Sequence, residues 1–366
     1  MGVERYTYIE NARPLPDSGE YVTDIKVTDP ITKLLFKFQA TNGSTSNKAQ
    51  TVADVVDEIA ILDGANVIMS LTGKQAVALD AYLRGAVGYH TFTEGANATQ
   101  NLFVTIPFGR WDEDTDLALS PKSFSNPQIR VRWNLANVRA VGATGFATGS
   151  AQFSAIAKVV ETLPIPKGYR RYVKHYSFTS AASGTEVIEL PTTAPIRAIM
   201  LGSLTTSGGA LVGLSKVRVT LDQGKVVVFE MTPVDLKRLM WDNYYWFTYK
   251  HTFAVADADT IYSILRERTA FSGFASTADT VVTISSNDTG AETIGVKTAG
   301  SAGTLQLLSA DINGLCPHGY VYIPFGVYDD PNTWLQAQNY HSVRLELDQN
   351  AAGASVGVVL DTLQSY

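Results

Sequence analysis

Cysteine is almost absent: Cys316 is the only one among 366 residues. No disulfide can close within the chain, which disfavours a secreted, disulfide-stapled design. Charge is scarce as well. Asp, Glu, Lys and Arg make up 17% of the chain, and the net charge of -6 is spread without long runs. A broad grip on phosphate backbones needs concentrated Lys and Arg, so no specific nucleic-acid binding is expected. No run of 18 apolar residues could cross a bilayer, and Met1 to Pro14 carries acids, polar residues and prolines where a signal peptide needs an apolar core. The expectation is a protein made and kept soluble inside a cell until it assembles. The five histidines, His90, His175, His251, His318 and His341, occur singly, and Cys316-Pro317-His318 lacks the further ligands of a structural zinc site. Cys316 therefore reads as a buried thiol, and no cofactor and no catalytic residue is expected.

What the chain does have is a repeat. Val104 to Gly109 reads V-T-I-P-F-G, and Val321 to Gly326 reads V-Y-I-P-F-G. Other matches occur in the same order: Arg5-Tyr6 with Arg171-Tyr172, Ser18-Gly19 with Ser183-Gly184, and Pro30-Ile31 with Pro195-Ile196. The turn at Asp63-Gly64 answers the one at Asp222 to Gly224. Arg130-Val131-Arg132 is matched to Arg344-Leu345-Glu346, and Val160 to Leu163 to Leu360 to Leu363. Such ordered repetition points to a duplicated domain. Pro107, Gly109, Pro324 and Gly326 are its marks: Pro stands where no ladder donor is needed, and Gly permits a sharp exit from a core strand.

Thr72 and Thr232 are helix N-caps at matching places, Thr72 with Gln75 at the capping-box position and Thr232 with Pro233 at the first helical position. Around each helix the chain is β-like, with short alternating segments and frequent turns. The first domain is assigned to 1–163, a proline-bearing linker to 164–170, and the second domain to 171–366. About 90 residues separate Thr232 from Ile323, against about 34 between Thr72 and Ile106. The excess, about 251–310, is an insertion with strands at Val281 to Ile284, Thr293 to Val296 and Thr304 to Leu308, separated by turns at Asn287 to Gly290 and Gly300 to Gly303.

Two further clusters carry candidate chemistry. Asp112, Asp114 and Asp116 follow the first I-P-F-G and could offer carboxylates to calcium, although their spacing fits no standard calcium loop and a solvated turn is the plainer reading. Trp241, Tyr244 and Trp246 continue the second helix and read as core or seam aromatics. The basic cluster Lys167, Arg170, Arg171 and Lys174 reads as a solvated linker.

Eight strands and one helix per half suit an all-β fold of two tandem eight-stranded jelly rolls, a double jelly roll, with the insertion in the second. In this the chain resembles the double jelly-roll major capsid proteins of tailless icosahedral double-stranded DNA viruses of bacteria and archaea. The resemblance implies a homotrimer imitating six-fold symmetry, a trimer-trimer lattice in the virion shell, and penton and minor capsid proteins as partners. It implies that 251–310 forms an outward tower. An internal membrane could lie beneath the shell, but the short, proline-rich N-terminal segment offers no anchor. An extracellular carbohydrate-binding or adhesive β-sandwich protein is the alternative.

Overall fold

The computed structural model describes residues 3–47, 51–114, 116–138, 144–161, 165–205, 208–255, 260–276, 281–284, 293–299 and 306–366. The first half runs β1 (Glu4–Pro14), β2 (Ser18–Asp24), β3 (Ile31–Thr41), β4 (Val56–Asp63), β5 (Asn66–Leu71), α1 (Gly73–Arg84), β6 (Phe92–Thr93), β7 (Thr99–Pro107), β8 (Pro127–Asn134) and β9 (Gln152–Val160). The second half opens with β10 (Gly168–Thr179), β11 (Gly184–Leu190), β12 (Ile196–Leu204), β13 (Leu214–Leu221), β14 (Val226–Met231) and α2 (Pro233–Tyr244). An excursion comes next, comprising β15 (Phe247–Val255), β16 (Thr260–Tyr262), β17 (Leu265–Ser276), β18 (Val281–Ile284), β19 (Thr293–Ala299) and β20 (Gln306–Pro317). The chain ends with β21 (Tyr320–Pro324), β22 (Val343–Gln349) and β23 (Ser355–Ser365).

In the first half the strands form two sheets, ordered β1-β9-β3-β7 and β2-β8-β4-β5. The second half repeats the order strand for strand, as β10-β23-β12-β21 and β11-β22-β13-β14. Alternation drives each sheet to bury one face: along β3, Leu34, Phe36, Phe38 and Ala40 point inward while the residues between them are half-exposed. Phe38 meets Trp133 of the facing sheet with ring centroids 6.4 Å apart, and Phe36 stacks on Phe153 at 6.2 Å. Two facing antiparallel sheets of four strands in this order make each half a jelly roll.

Register turns the repeat into a residue-by-residue correspondence. The rung Tyr21, Val131, Ile59, Leu71 of the first half matches Glu186, Leu347, Val217, Met231 of the second. In the other sheet, Arg5, Val159 and Ile31 match Arg171, Thr362 and Ile196. Pro107 opposite Lys33 likewise matches Pro324 opposite Ala198, beyond a register shift at the same place in both halves. The Arg-Tyr, Ser-Gly, Pro-Ile, cap and I-P-F-G marks therefore agree with one another. The closing-strand matches do not: Val131 corresponds to Leu347, not Leu345, and Val159 to Thr362, not Val359. Alternating apolar residues look alike two places along a strand, so composition alone cannot fix register.

The helix ends follow local chemistry. Thr72 Oγ1 accepts from the Gln75 amide at 3.2 Å while Gln75 Oε1 accepts from the Thr72 amide at 3.0 Å, and Gly85 ends α1 in the left-handed region at φ 69°. Thr232 Oγ1 accepts from the Asp235 amide at 3.3 Å, with Pro233 in the first turn of α2.

One expectation changes. The connection between the halves is shorter than 164–170, because Gly168, Tyr169 and Arg170 already pair with Ser365, Gln364 and Leu363 in β10. Pro164 and the turns at 287–290 and 300–303 lie outside the described residues. In the excursion, β17, β20 and β15 form a sheet whose last neighbour is β6 of the first half, with His251 paired to Phe92 and Thr252 to Thr93.

Pro107 and Pro324 are the last residues of β7 and β21. A Cβ on Gly326 would stand 2.2 Å from the Thr333 carbonyl oxygen, and its φ of 68° is left-handed as well. Gly109 needs the space alone, since a Cβ there would stand 2.6 Å from the Leu117 carbonyl oxygen. Gly85 is left-handed but has open space around it. Gly85→Ala should therefore cost about 1 kcal/mol, and Gly326→Ala about 1–3 kcal/mol more through overlap with backbone. Chemical denaturation of both variants checks this; equal losses would remove the close-approach explanation.

Candidate functional site

The features that distinguish this molecule lie where its two barrels meet and where they do not. Strand β10 of the second barrel closes the first. It pairs in parallel with β5 through Val173 and Ser70, and the Arg170 amide donates to the Phe108 carbonyl at 2.9 Å. Arg171 Nη2 donates to the Val67 carbonyl at 2.8 Å, and Tyr172 Oη to the Pro107 carbonyl at 2.8 Å. The first I-P-F-G thus receives a side chain from the other barrel. Helix α1 sits in the same seam, where Tyr82 Oη donates to the Tyr320 carbonyl at 2.6 Å.

The aromatics after α2 divide between seam and surface. Tyr244 packs edge-on against Tyr82 with centroids 4.9 Å apart and stacks with Phe247 at 6.2 Å. Trp241 is half-buried and meets Trp246 edge-on at 4.7 Å, and Trp246 remains 41% exposed. Tyr244 and Trp241 are partly buried, Tyr244 against α1 at the seam and Trp241 beside an open groove, and Trp246 stays at the surface.

Arg170 is where the basic cluster departs from a solvated linker. Its guanidinium is fully buried and ion-paired with Asp361, and it donates to Tyr328 Oη at 3.0 Å and Tyr322 Oη at 3.3 Å. Tyr322 Oη in turn donates to Asp361 at 2.6 Å. Burial works against the guanidinium charge, but Asp361 together with Tyr172, Tyr322 and Tyr328 outweighs it and holds the Arg170 pKa well above its ordinary value. The first barrel has an ion pair at the same place with the charges exchanged. Glu4 corresponds to Arg170 and Lys158 to Asp361, and Lys158 Nζ lies 3.2 Å from Glu4 Oε2.

Lys158 also draws in the acidic loop. Asp112 Oδ2 lies 3.2 Å from Lys158 Nζ and 2.5 Å from Lys33 Nζ. Asp114, fully buried, accepts from Arg110 Nε and Nη2 at 2.7 Å and from the backbone amides of Arg110 and Asp116 at 3.0 Å. Burial alone would raise the Asp114 carboxyl; the Arg110 hydrogen bonds override it and hold it below the usual range. Asp116 pairs with Lys167 at 2.8 Å. The three acids are thus taken up by cations, Asp112 by Lys33 and Lys158, Asp114 by Arg110, and Asp116 by Lys167 and by Arg110 at 3.2 Å, and this corrects the calcium candidate: they do not converge on a point a metal could share. Among the described residues no group of three His, Cys, Asp or Glu side chains does.

Three histidines are buried. Desolvation pushes His90 and His251 down to about 3 and His318 well below its ordinary value, so all three stand neutral at pH 7. Cys316 is buried and its thiol is pushed up to about 12, which makes it unreactive.

No family model matches the sequence, and no curated protein does. Solved structures do match in fold. A chain of the Sulfolobus Turreted Icosahedral Virus structure superposes at TM-score 0.62 and 8% identity, covering 99% of this chain and 91% of that one. The major capsid protein P2 of bacteriophage PM2 gives 0.56 at 10% identity, covering 100% and 98%. PBCV-1 VP54, fitted into a reconstruction of the virophage Sputnik, gives 0.57 at 11% identity, covering 99% and 94%. This chain has the double jelly-roll fold of those proteins. At these identities the likeness concerns the fold. The double jelly roll accounts for both the repeated sheet order and the placement of one helix per barrel.

Asp361→Leu leaves Arg170 charged, buried and unpaired, and should cost about 3–5 kcal/mol. The double variant Arg170→Met with Asp361→Leu should recover most of that loss. Equilibrium unfolding of both variants tests the pairing; a double variant as damaged as the single would show that the site needs shape and not charge balance.

Proposed function

We propose that the chain is the major capsid protein of an icosahedral virion, assembling as trimers whose six barrels form pseudo-hexagonal blocks around a double-stranded DNA genome. Fold likeness over nearly the whole chain supports the class of function. The observation that carries self-assembly is the unequal burial of two equivalent helices. In α1, nine of twelve residues are buried, packed on β4, β5, β7 and the turn at Val52–Asp54 of its own half and on β20 and β21 of the second. In α2, of the same length, only Leu236 and Met240 are buried. Val234 is 73% exposed, and Trp241 lines an open groove of about 460 Å³ together with Val234, Lys237, Arg238 and Leu315. The two equivalent helices thus differ in how much of their surface the chain itself covers.

In this reading the barrels are residues 1–163 and 168–366, and the excursion from β15 to β20, residues 247–317, is the outward tower. The trimer closes by three-fold rotation, and weak trimer-trimer contacts are multiplied across the lattice. Penton and minor capsid proteins would complete the shell, in a virion assembled within the host cytoplasm. The mechanism is assembly, without a catalytic step.

Light scattering and electron microscopy of the purified chain test the reading. A stable trimer, or closed shells, is the expected result. A monomer at all concentrations that binds an immobilised glycan would overturn it in favour of an adhesive β-sandwich protein.

A further inference from the structure

We propose that a second copy of this chain seats its β1 on the outer edge of β14, repeating between molecules the contact that β10 makes with β5 within one. The inference rests on the self-assembly reading and names the surfaces that carry it. Among the described residues, β1 and β14 are sheet edges with no strand beyond them. Their counterparts, β10 and β5, are joined.

Register translates each internal contact into an intermolecular one. Val173 with Ser70 becomes Thr7 with Glu230. Arg171 donating to the Val67 carbonyl becomes Arg5 donating to the Val227 carbonyl, and Tyr172 donating to the Pro107 carbonyl becomes Tyr6 donating to the Pro324 carbonyl. The Arg170 amide on Phe108 becomes the Glu4 amide on Phe325.

The groups required are on the surface. Tyr6 is 59% exposed and Tyr8 58%, while Val226, Val227 and Val228 are 50%, 51% and 39% exposed, three consecutive valines on an edge strand. The internal counterpart of Tyr6, Tyr172, has no exposed surface. Pro324 lines an open cavity of about 330 Å³ with Arg197, Tyr244 and Tyr328, between β21, α2 and the Tyr82–Leu83 end of α1, where the incoming Tyr6 ring would enter. A bare apolar edge is a liability in a free subunit. Here the chain carries its own complement, and the heterologous contact closes after three copies.

The full-length chain carrying Thr7→Cys and Glu230→Cys, treated with a short bismaleimide, tests the contact. Buried Cys316 stays silent, and Ser70→Cys with Val173→Cys serves as the control that cross-links within one chain. The expected result is a covalent ladder ending at three chains. Tyr6→Ala and Val227→Lys should each shift the solution mass from trimer to monomer with the circular dichroism spectrum unchanged. A trimer that resists both variants and shows no Thr7–Glu230 cross-link would overturn this interface while leaving capsid assembly standing. A wild-type chain that never leaves the monomer would overturn both.

Discussion

A four-stranded sheet has two edges, and each edge is a row of unpaired amides and carbonyls that must meet something. In the first barrel the edge at β5 is met by β10, and α1 is packed both on its own half and on β20 and β21 of the second. Much of the molecule depends on that single parallel contact. It places Tyr172 against the first I-P-F-G and carries Arg170 into the interior. It also joins the four-stranded sheets β2-β8-β4-β5 and β10-β23-β12-β21 into one sheet of eight. The second barrel, built to the same plan, has no third barrel in its own chain to do the same for β14.

The duplicated halves therefore act as each other's control. Equivalent residues with equal sequence constraints differ in burial only where their neighbours differ. Tyr172 is buried where Tyr6 is exposed, and α1 is enclosed where α2 is half bare. Differences of this kind report on missing neighbours more directly than patch hydrophobicity does, because the covered copy shows what the covering looks like. The hydrophobic core, by contrast, is alike in both barrels, with the same inward rungs from Val131 and Ile59 to Leu347 and Val217.

Caps, turns and strand exits are legible in the sequence because they are local. Thr72 with Gln75, Thr232 with Pro233, and the glycines after Pro107 and Pro324 each state their backbone geometry within a few residues. Strand register is not local, and matching the closing strands by composition sets them two and three residues away from their true counterparts. Arg170 reads as solvated for a related reason: its burial depends on Asp361, 191 positions away. A signal does exist. Once Arg5 is set against Arg171, Glu4 falls on Arg170, and an acid standing where its counterpart is a base suggests a partner whose charge has changed too. The acids of 112–116 resemble a metal loop until strand cations from β3 and β9 are placed beside them. No property of the loop itself announces Lys33 and Lys158.

The exchanged ion pairs also bear on how a chain with two halves of the same sheet order avoids pairing strands of one with the other. During folding, β9 and β23 compete for β1 and β10, whose main chains offer the same ladder. Cross-pairing is a characteristic failure of duplicated domains. If β9 took β10, Lys158 would meet Arg170; if β23 took β1, Asp361 would meet Glu4. Each error sets like charges against each other, with Lys158 and Arg170 both buried and Asp361 buried against a half-exposed Glu4, whereas each correct pairing joins opposites. The inversion of sign thus works as a proofreading key for strand partnership, one that two identical barrels could not have carried.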